Sequence, residues 1–148
     1  MTAPAGGPPP FTGVVLTGGA SRRMGRDKAF VAPADGGPVL AERARRALVG
    51  AGAVEVLAVG GAGADLAALG FTPVPDSAPG EGPLGGLVDG LRAAATDVVV
   101  VLSCDLPAID TASVAGLVAA LVAAPDAAAA LPRAGDRWDV LVGAYRRE

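Results

Sequence analysis

The sequence predicts an α/β protein with a mostly parallel central sheet and helices on both faces. Three observations carry that expectation. Val98 to Leu102 reads VVVVL, apolar at every position, as a strand covered on both faces of a parallel sheet must be. Strand-like and helix-like segments alternate along most of the chain. A glycine-rich, basic stretch follows directly on the first strand-like run, at the carboxyl end where ligands sit in such sheets.

In chain order, Met1 to Pro10 (MTAPAGGPPP) has small residues and proline but nothing to bury, so residues 1–10 are expected to be a disordered leader to a single domain over 11–148. Thr12 to Leu16 is the first strand. Pro38 opens a helix to about Val49, with Leu40, Ala44, Ala47 and Leu48 on its apolar face and Gly50 and Gly52 ending it. Val54 to Val59 reads as a second strand, Asp65 to Leu69 as a short helix and Phe71 to Val74 as a third strand. Pro83 is placed to start the next helix, whose Leu84, Leu87, Val88 and Leu91 fall on one stripe at i, i+3, i+4 and i+7. After the valine-rich strand, Asp110 or Thr111 caps a helix carrying Val114, Leu117, Val118, Leu121 and Val122. Ala127 to Leu131 and Val140 to Tyr145 read as two last strands about a polar turn, Pro132 to Arg137.

With 12 basic and 15 acidic residues in 148, the formal charge is −3, which offers no general attraction for nucleic acid or an anionic membrane. Any anion must therefore be bound locally, and Arg22, Arg23, Arg26 and Lys28 place four of the 12 basic residues in one loop. No apolar run approaches the ~20 residues that span a bilayer. Cys104, the single cysteine, has no internal disulfide partner, and the N-terminus lacks a signal-peptide pattern, so a cytoplasmic location is expected.

The loop from Leu16 to Lys28 (LTGGASRRMGRDK) has the chemistry of a polyphosphate cradle. Gly18 and Gly19 let backbone amides approach a ligand without a Cβ in the way, and Arg22, Arg23 and Lys28 supply charge. Its spacing matches neither the dinucleotide fingerprint G-x-G-x-x-G nor the Walker loop, since Lys28 lies between Asp27 and Ala29. Asp105, just past the valine-rich strand, is either a turn or cap residue or a carboxylate for Mg²⁺, which takes one or two carboxylates together with phosphate oxygens. Cys104 beside it has no histidine anywhere in the chain to activate it. A second glycine-rich loop, Asp76 with Gly80, Gly82, Pro83, Leu84, Gly85 and Gly86, is either a turn and helix start or a wall for a nucleobase or ribose.

Together, LTGGASRRMGRDK (Leu16 to Lys28), PDSAPGEGPLGGL (Pro75 to Leu87) and LSCDLP (Leu102 to Pro107) resemble the molybdenum cofactor guanylyltransferases, within the Rossmann-like nucleotidyltransferases. The resemblance implies a three-layer fold and transfer of GMP from GTP to molybdenum-bearing molybdopterin, with release of pyrophosphate. It implies that Leu16, Thr17, Gly18 and Gly19 contact the nucleotide and Lys28 its phosphates, that Asp76, Gly82, Pro83 and Leu84 meet the nucleoside side, and that Asp105 holds Mg²⁺. Lys28 with Arg22 or Arg23 would neutralise the approaching anions and the leaving pyrophosphate. Proteins that deliver molybdopterin or mature molybdoenzymes are implied as partners. Cytidylyl- and sugar nucleotidyltransferases share the arginine and lysine loop, whereas Gly18-Gly19 followed by GPLGGL resembles the guanylyl branch.

The chain departs from the family pattern in three places. Val59, Gly60, Gly61 stand where many relatives have an asparagine, so a nucleotide contact there falls to backbone or is absent. Arg137, Trp138, Asp139, Val140 replace a Gln-Pro or His-Pro segment, and Trp138, a lone aromatic, is expected in the core rather than over a pterin. The family's further helix and strand lie beyond Glu148, which implies a shortened C-terminal part, either a fragment or a non-catalytic paralogue, with apolar surface that would favour self-association.

Overall fold

The computed structural model of the chain describes residues 7–18 and 28–147, with Lys28 described by its backbone alone. Most of the expected leader lies outside the described residues. Four strands run parallel: β1 (Phe11–Leu16), β2 (Ala53–Val59), β3 (Thr72–Val74) and β4 (Val98–Ser103). With β5 (Ala129–Ala130) and β8 (Gly143–Arg146) they form one sheet in the order β3-β2-β1-β4-β8-β5, in which β8 is antiparallel to both its neighbours.

The helices are α1 (Leu40–Gly50), α2 (Gly63–Ala68), α3 (Pro83–Ala93) and α4 (Thr111–Val122). β4 shows the layering. Val98, Val100 and Leu102 pack with Ala44 and Leu48 of α1 and Val114, Val118 and Leu121 of α4, whereas Val99 and Val101 pack on the other side with Leu87 and Ala94. Because side chains alternate along a strand, an all-valine run feeds two cores at once, and the three-layer expectation holds. Asp110 caps α4 by accepting the Ser113 amide at 2.8 Å and its hydroxyl at 2.6 Å. Those two donors, the hydroxyl above all, hold the Asp110 carboxyl below its ordinary range.

Only half of the apolar stripe expected on α3 is buried: Leu87 and Leu91 pack on the core, whereas Leu84 and Val88 do not. Leu84 is 59% and Val88 42% exposed, and the buried positions are Gly86, Leu87, Asp89 and Gly90. Sterics explain the difference: a Cβ at Gly90 would lie 2.6 Å from Val14 Cγ1, and one at Gly86 3.4 Å from Leu16 Cδ2. The two glycines let α3 settle directly onto β1. Smaller departures follow the same logic of local geometry. On α1, Ala41 is buried while Leu40 is half-buried, and on α4 Val122 is exposed.

The last strand begins at Gly143 rather than Val140, because Asp139 Oδ1 accepts the Leu141 amide at 3.0 Å and turns the chain. The expected polar turn is a small hairpin, β6 (Arg133–Ala134) against β7 (Arg137–Trp138). Trp138 is not in the core. It is 59% exposed on that hairpin, with the Arg133 guanidinium 5.5 Å from its ring centre.

The sheet's outer strands are both short. In β3, Val74 O accepts the Gly60 amide, so Thr72 and Val74 face β2 and Pro73 faces outward. Among the described residues, no helix is long and apolar enough to cross a membrane.

Candidate functional site

The ends of β1 and β4 are direct neighbours, with Leu16 paired to Ser103 in parallel register. The order of strands reverses here, since β1 leads to β2 on one side while β4 lies on the other, and such a switch point opens a crevice at the carboxyl ends. Two of the expected site segments, Leu16 to Gly18 and Ser103 to Asp105, therefore meet by register.

Beyond β1 the chain is tied to β2. The amides of Thr17 and Gly18 both donate to Val59 O at 3.0 Å. The Thr17 hydroxyl lies 2.9 Å from Gly60 O and 3.1 Å from Val59 O as a donor, with the residue only 2% exposed. Thr17 therefore acts through the backbone it holds, since its side chain is committed to carbonyls. Gly60 and Gly61 have φ of 76° and 73°, and a Cβ at Gly60 would stand 3.0 Å from Gly18 Cα and 3.7 Å from Asp76 Cβ. Where an asparagine was expected from relatives, this chain builds a floor of bare backbone that brings Gly18 and Asp76 together.

Asp76 Oδ1 accepts the Ala78 amide at 2.9 Å, which curls the loop after β3. The next residue, Ser77, is gripped by Asp89 of α3: its amide and hydroxyl each donate to a carboxylate oxygen at 2.8 Å. Asp89 is nearly buried, and the Ser77 amide, then its hydroxyl and the Arg92 charge, hold its carboxyl below the ordinary range. This tether sets the 75–82 loop against α3, whose first residues, with Gly82, are those the resemblance assigns to the nucleoside side. Gly82 (φ 96°), Pro83 and Leu84 are all exposed there, and no side chain caps the helix.

The tether has a defined pH signature. A carboxyl whose pKa is lowered by folding stabilises the fold above its unfolded value, near 4, and that contribution is lost as pH falls through the folded value. Asp89→Asn should therefore lower the melting temperature at neutral pH, and its deficit relative to wild type should shrink as the solution is acidified through the carboxylate range. Melting curves of both proteins against pH check this; a deficit independent of pH would contradict it.

Asp105 is exposed, and the Ser103 hydroxyl donates to its Oδ1 at 3.0 Å. Among the described residues no three acidic, cysteine or histidine side chains gather into a metal cluster. An exposed carboxylate at a strand end suits Mg²⁺, which fills the rest of its shell with water and phosphate oxygens. Cys104 is half-buried against the α1 and α4 core and is in no disulfide. Gly19, Arg22, Arg23 and the side chain of Lys28 lie outside the described residues; the Lys28 backbone opens a short 3-10 turn, Lys28–Phe30. Asp89, Ser77 and the Gly60-Gly61 floor were not identified as supports from sequence. A lone acid amid the glycines of α3 was the one available signal.

A family model described as the MobA-like NTP transferase domain matches residues 13–148. A protein of Opitutus terrae described as a probable molybdenum cofactor guanylyltransferase is 42% identical over 105 residues, 69% of this chain and 51% of that protein. A Mycobacterium tuberculosis H37Rv protein with the same description is 35% identical over 156 residues, 94% of this chain and 77% of that protein. The chain thus matches about half the length of the first relative and about three quarters of the second. Among solved structures, CMP:2-keto-3-deoxy-manno-octonic acid synthetase complexed with CTP superposes with a TM-score of 0.69 at 20% identity, over 93% of this chain and 74% of that one. Another Mycobacterium tuberculosis H37Rv protein gives 0.69 at 21% identity, over 93% and 72%. At these identities the two structures share the fold.

Proposed function

Because the chain belongs to the MobA-like NTP transferase family, we propose that it is a guanylyltransferase that moves GMP from GTP to molybdenum-bearing molybdopterin. The observation that carries the reading is the pairing of Leu16 with Ser103, which brings Thr17 and Gly18 to the same carboxyl end of the sheet as Asp105. In the reaction, an oxygen of the acceptor's terminal phosphate attacks the α-phosphorus of GTP. A new phosphoanhydride bond forms, the bond to the β-phosphate breaks, and pyrophosphate leaves. No covalent enzyme intermediate is needed.

The task of the protein is to position two anions and offset their charge. Gly18 and Gly19 admit the nucleotide close to backbone, Lys28 with Arg22 or Arg23 bears on its phosphates, and Asp76 with Gly82 to Leu84 receives the nucleoside. Asp105 would hold Mg²⁺, which supplies charge neutralisation to the phosphates when bound. The soluble substrates and the single cysteine fit a cytoplasmic setting, with molybdopterin-delivering proteins as partners.

Pyrophosphate release from GTP with molybdopterin tests the reading. Lys28→Ala should reduce the rate about 10²–10³-fold, the loss expected on deleting one principal charge stabiliser. A thermal-shift series separates bases: GTP with Mg²⁺ at 100 times its dissociation constant adds about 2.7 kcal/mol of stability. A shift with CTP and none with GTP would overturn the guanylyl assignment.

A further inference from the structure

We infer that Arg43 is a positioning residue that clamps the connection after β1 to the connection after β4, and so fixes the Lys28 segment relative to Asp105. The inference rests on the reading above for what those segments do. Arg43 lies in the second turn of α1, yet its guanidinium reaches out of the helix in two directions. Nη1 donates to Pro107 O at 2.9 Å, two residues past Asp105. Nη2 donates to both carboxylate oxygens of Asp35, at 2.9 and 3.1 Å.

Asp35 belongs to the 33–37 turn, downstream of Lys28 on the same connection. That turn is shaped around the guanidinium: Gly36 has φ of 77°, the Gly36 amide donates to Pro33 O, and the Gly37 amide donates to Asp35 Oδ1 at 3.0 Å. A Cβ at Gly37 would lie 2.3 Å from Arg43 Nη2, so any side chain there would push the guanidinium out of this position. The Gly37 amide and the Arg43 guanidinium together keep the Asp35 carboxyl below its ordinary range, so the pair stays ionised at neutral pH.

Exposure argues against a stabilising role as the main one. The Asp35 carboxylate is largely open to solvent, and ion pairs of that kind add little stability. What the arrangement does supply is a fixed spacing. Among the described residues, the planar, forked donors of Arg43 join these two loops, and a lysine, with a single ammonium, cannot hold both partners in that geometry.

Two measurements test the clamp on Arg43→Met, Arg43→Lys, Asp35→Asn and Gly37→Ala. In hydrogen exchange, the amides of Cys104, Asp105, Leu106, Ala108 and Ile109 should exchange faster in Arg43→Met, with β1 and β4 unchanged. Unchanged exchange at 104–109 overturns the inference. In turnover, the Mg²⁺ concentration for half-maximal rate should rise about 10-fold in Arg43→Met, as on loss of a support outside the ligand set. Arg43→Lys should fail to restore it, and Gly37→Ala should shift it the same way with little loss of melting temperature. A full rescue by lysine, or a lowered melting temperature with the Mg²⁺ dependence unmoved, would reduce Arg43 to a structural residue. If wild type releases no pyrophosphate, the guanylyltransferase reading fails, and the exchange result alone decides the clamp.

Discussion

Replacing Asp105 by alanine should lower the rate of pyrophosphate release about 10²–10³-fold, or more, while the melting temperature stays close to wild type. The two halves of that expectation have separate causes. Asp105 is exposed and its one hydrogen-bond partner among the described residues is the Ser103 hydroxyl, so its removal frees a group that water can satisfy. Substitutions of that kind change stability by roughly 0.5 kcal/mol or less. The rate, in contrast, depends on a negative charge at the end of β4, where two anions must be brought together. Asp105→Asn sharpens the test, because the amide oxygen can still accept from Ser103 while the charge is gone. Rates within a few-fold of wild type in both variants would remove Asp105 from the reaction.

The second large effect is on stability, and it has opposite signs at two helical glycines. At Gly90 of α3, a Cβ would meet Val14 Cγ1 at 2.6 Å, and Val14 is fully buried in the middle of β1. Gly90→Val should therefore destabilise the fold by about 3 kcal/mol, at the upper end of overpacking costs, since neither branched side chain can turn away. Gly90→Ala should cost less, because better helix propensity returns about 1 kcal/mol. At Gly116 of α4 nothing lies within 4 Å of the added atom. Gly116→Ala should stabilise by up to about 1 kcal/mol on propensity alone. Urea denaturation of the three variants measures all of these, and a Gly90→Val protein as stable as wild type would show that α3 does not sit on β1 as described.

Much of this architecture was legible because burial on both sides leaves an unambiguous mark. The valine run of β4 reads as an inner strand, and Gly18 and Asp105 fell just past strand ends by counting alone. Misreadings arose where the residue that packs has no apolar side chain. On α3 Leu87 packs as its pattern suggests, yet Gly86 and Gly90 share the contact where Leu84 and Val88 were expected, and a glycine leaves no hydrophobic signal. Trp138 was assigned inward on the general behaviour of aromatics, whereas Arg133 holds it on a hairpin at the surface. Supports such as Asp89 for Ser77, or Arg43 for Pro107, were out of reach for another reason. Their partners lie 12 and 64 residues away, and only the fold brings them into range.

The outward-facing Pro73 has a consequence for how copies of this chain meet. A strand docking on the β3 side would look for an N–H at that position and find none, and on the opposite side β5 presents only two residues. Both rims are poor templates for growth of the sheet into a neighbouring molecule. For a sequence with a mean hydropathy of +0.47, that lessens edge-to-edge pairing of the folded protein. Association between copies through side chains, such as the exposed Leu84 and Val88 of α3, is then favoured over extension of the six-stranded sheet.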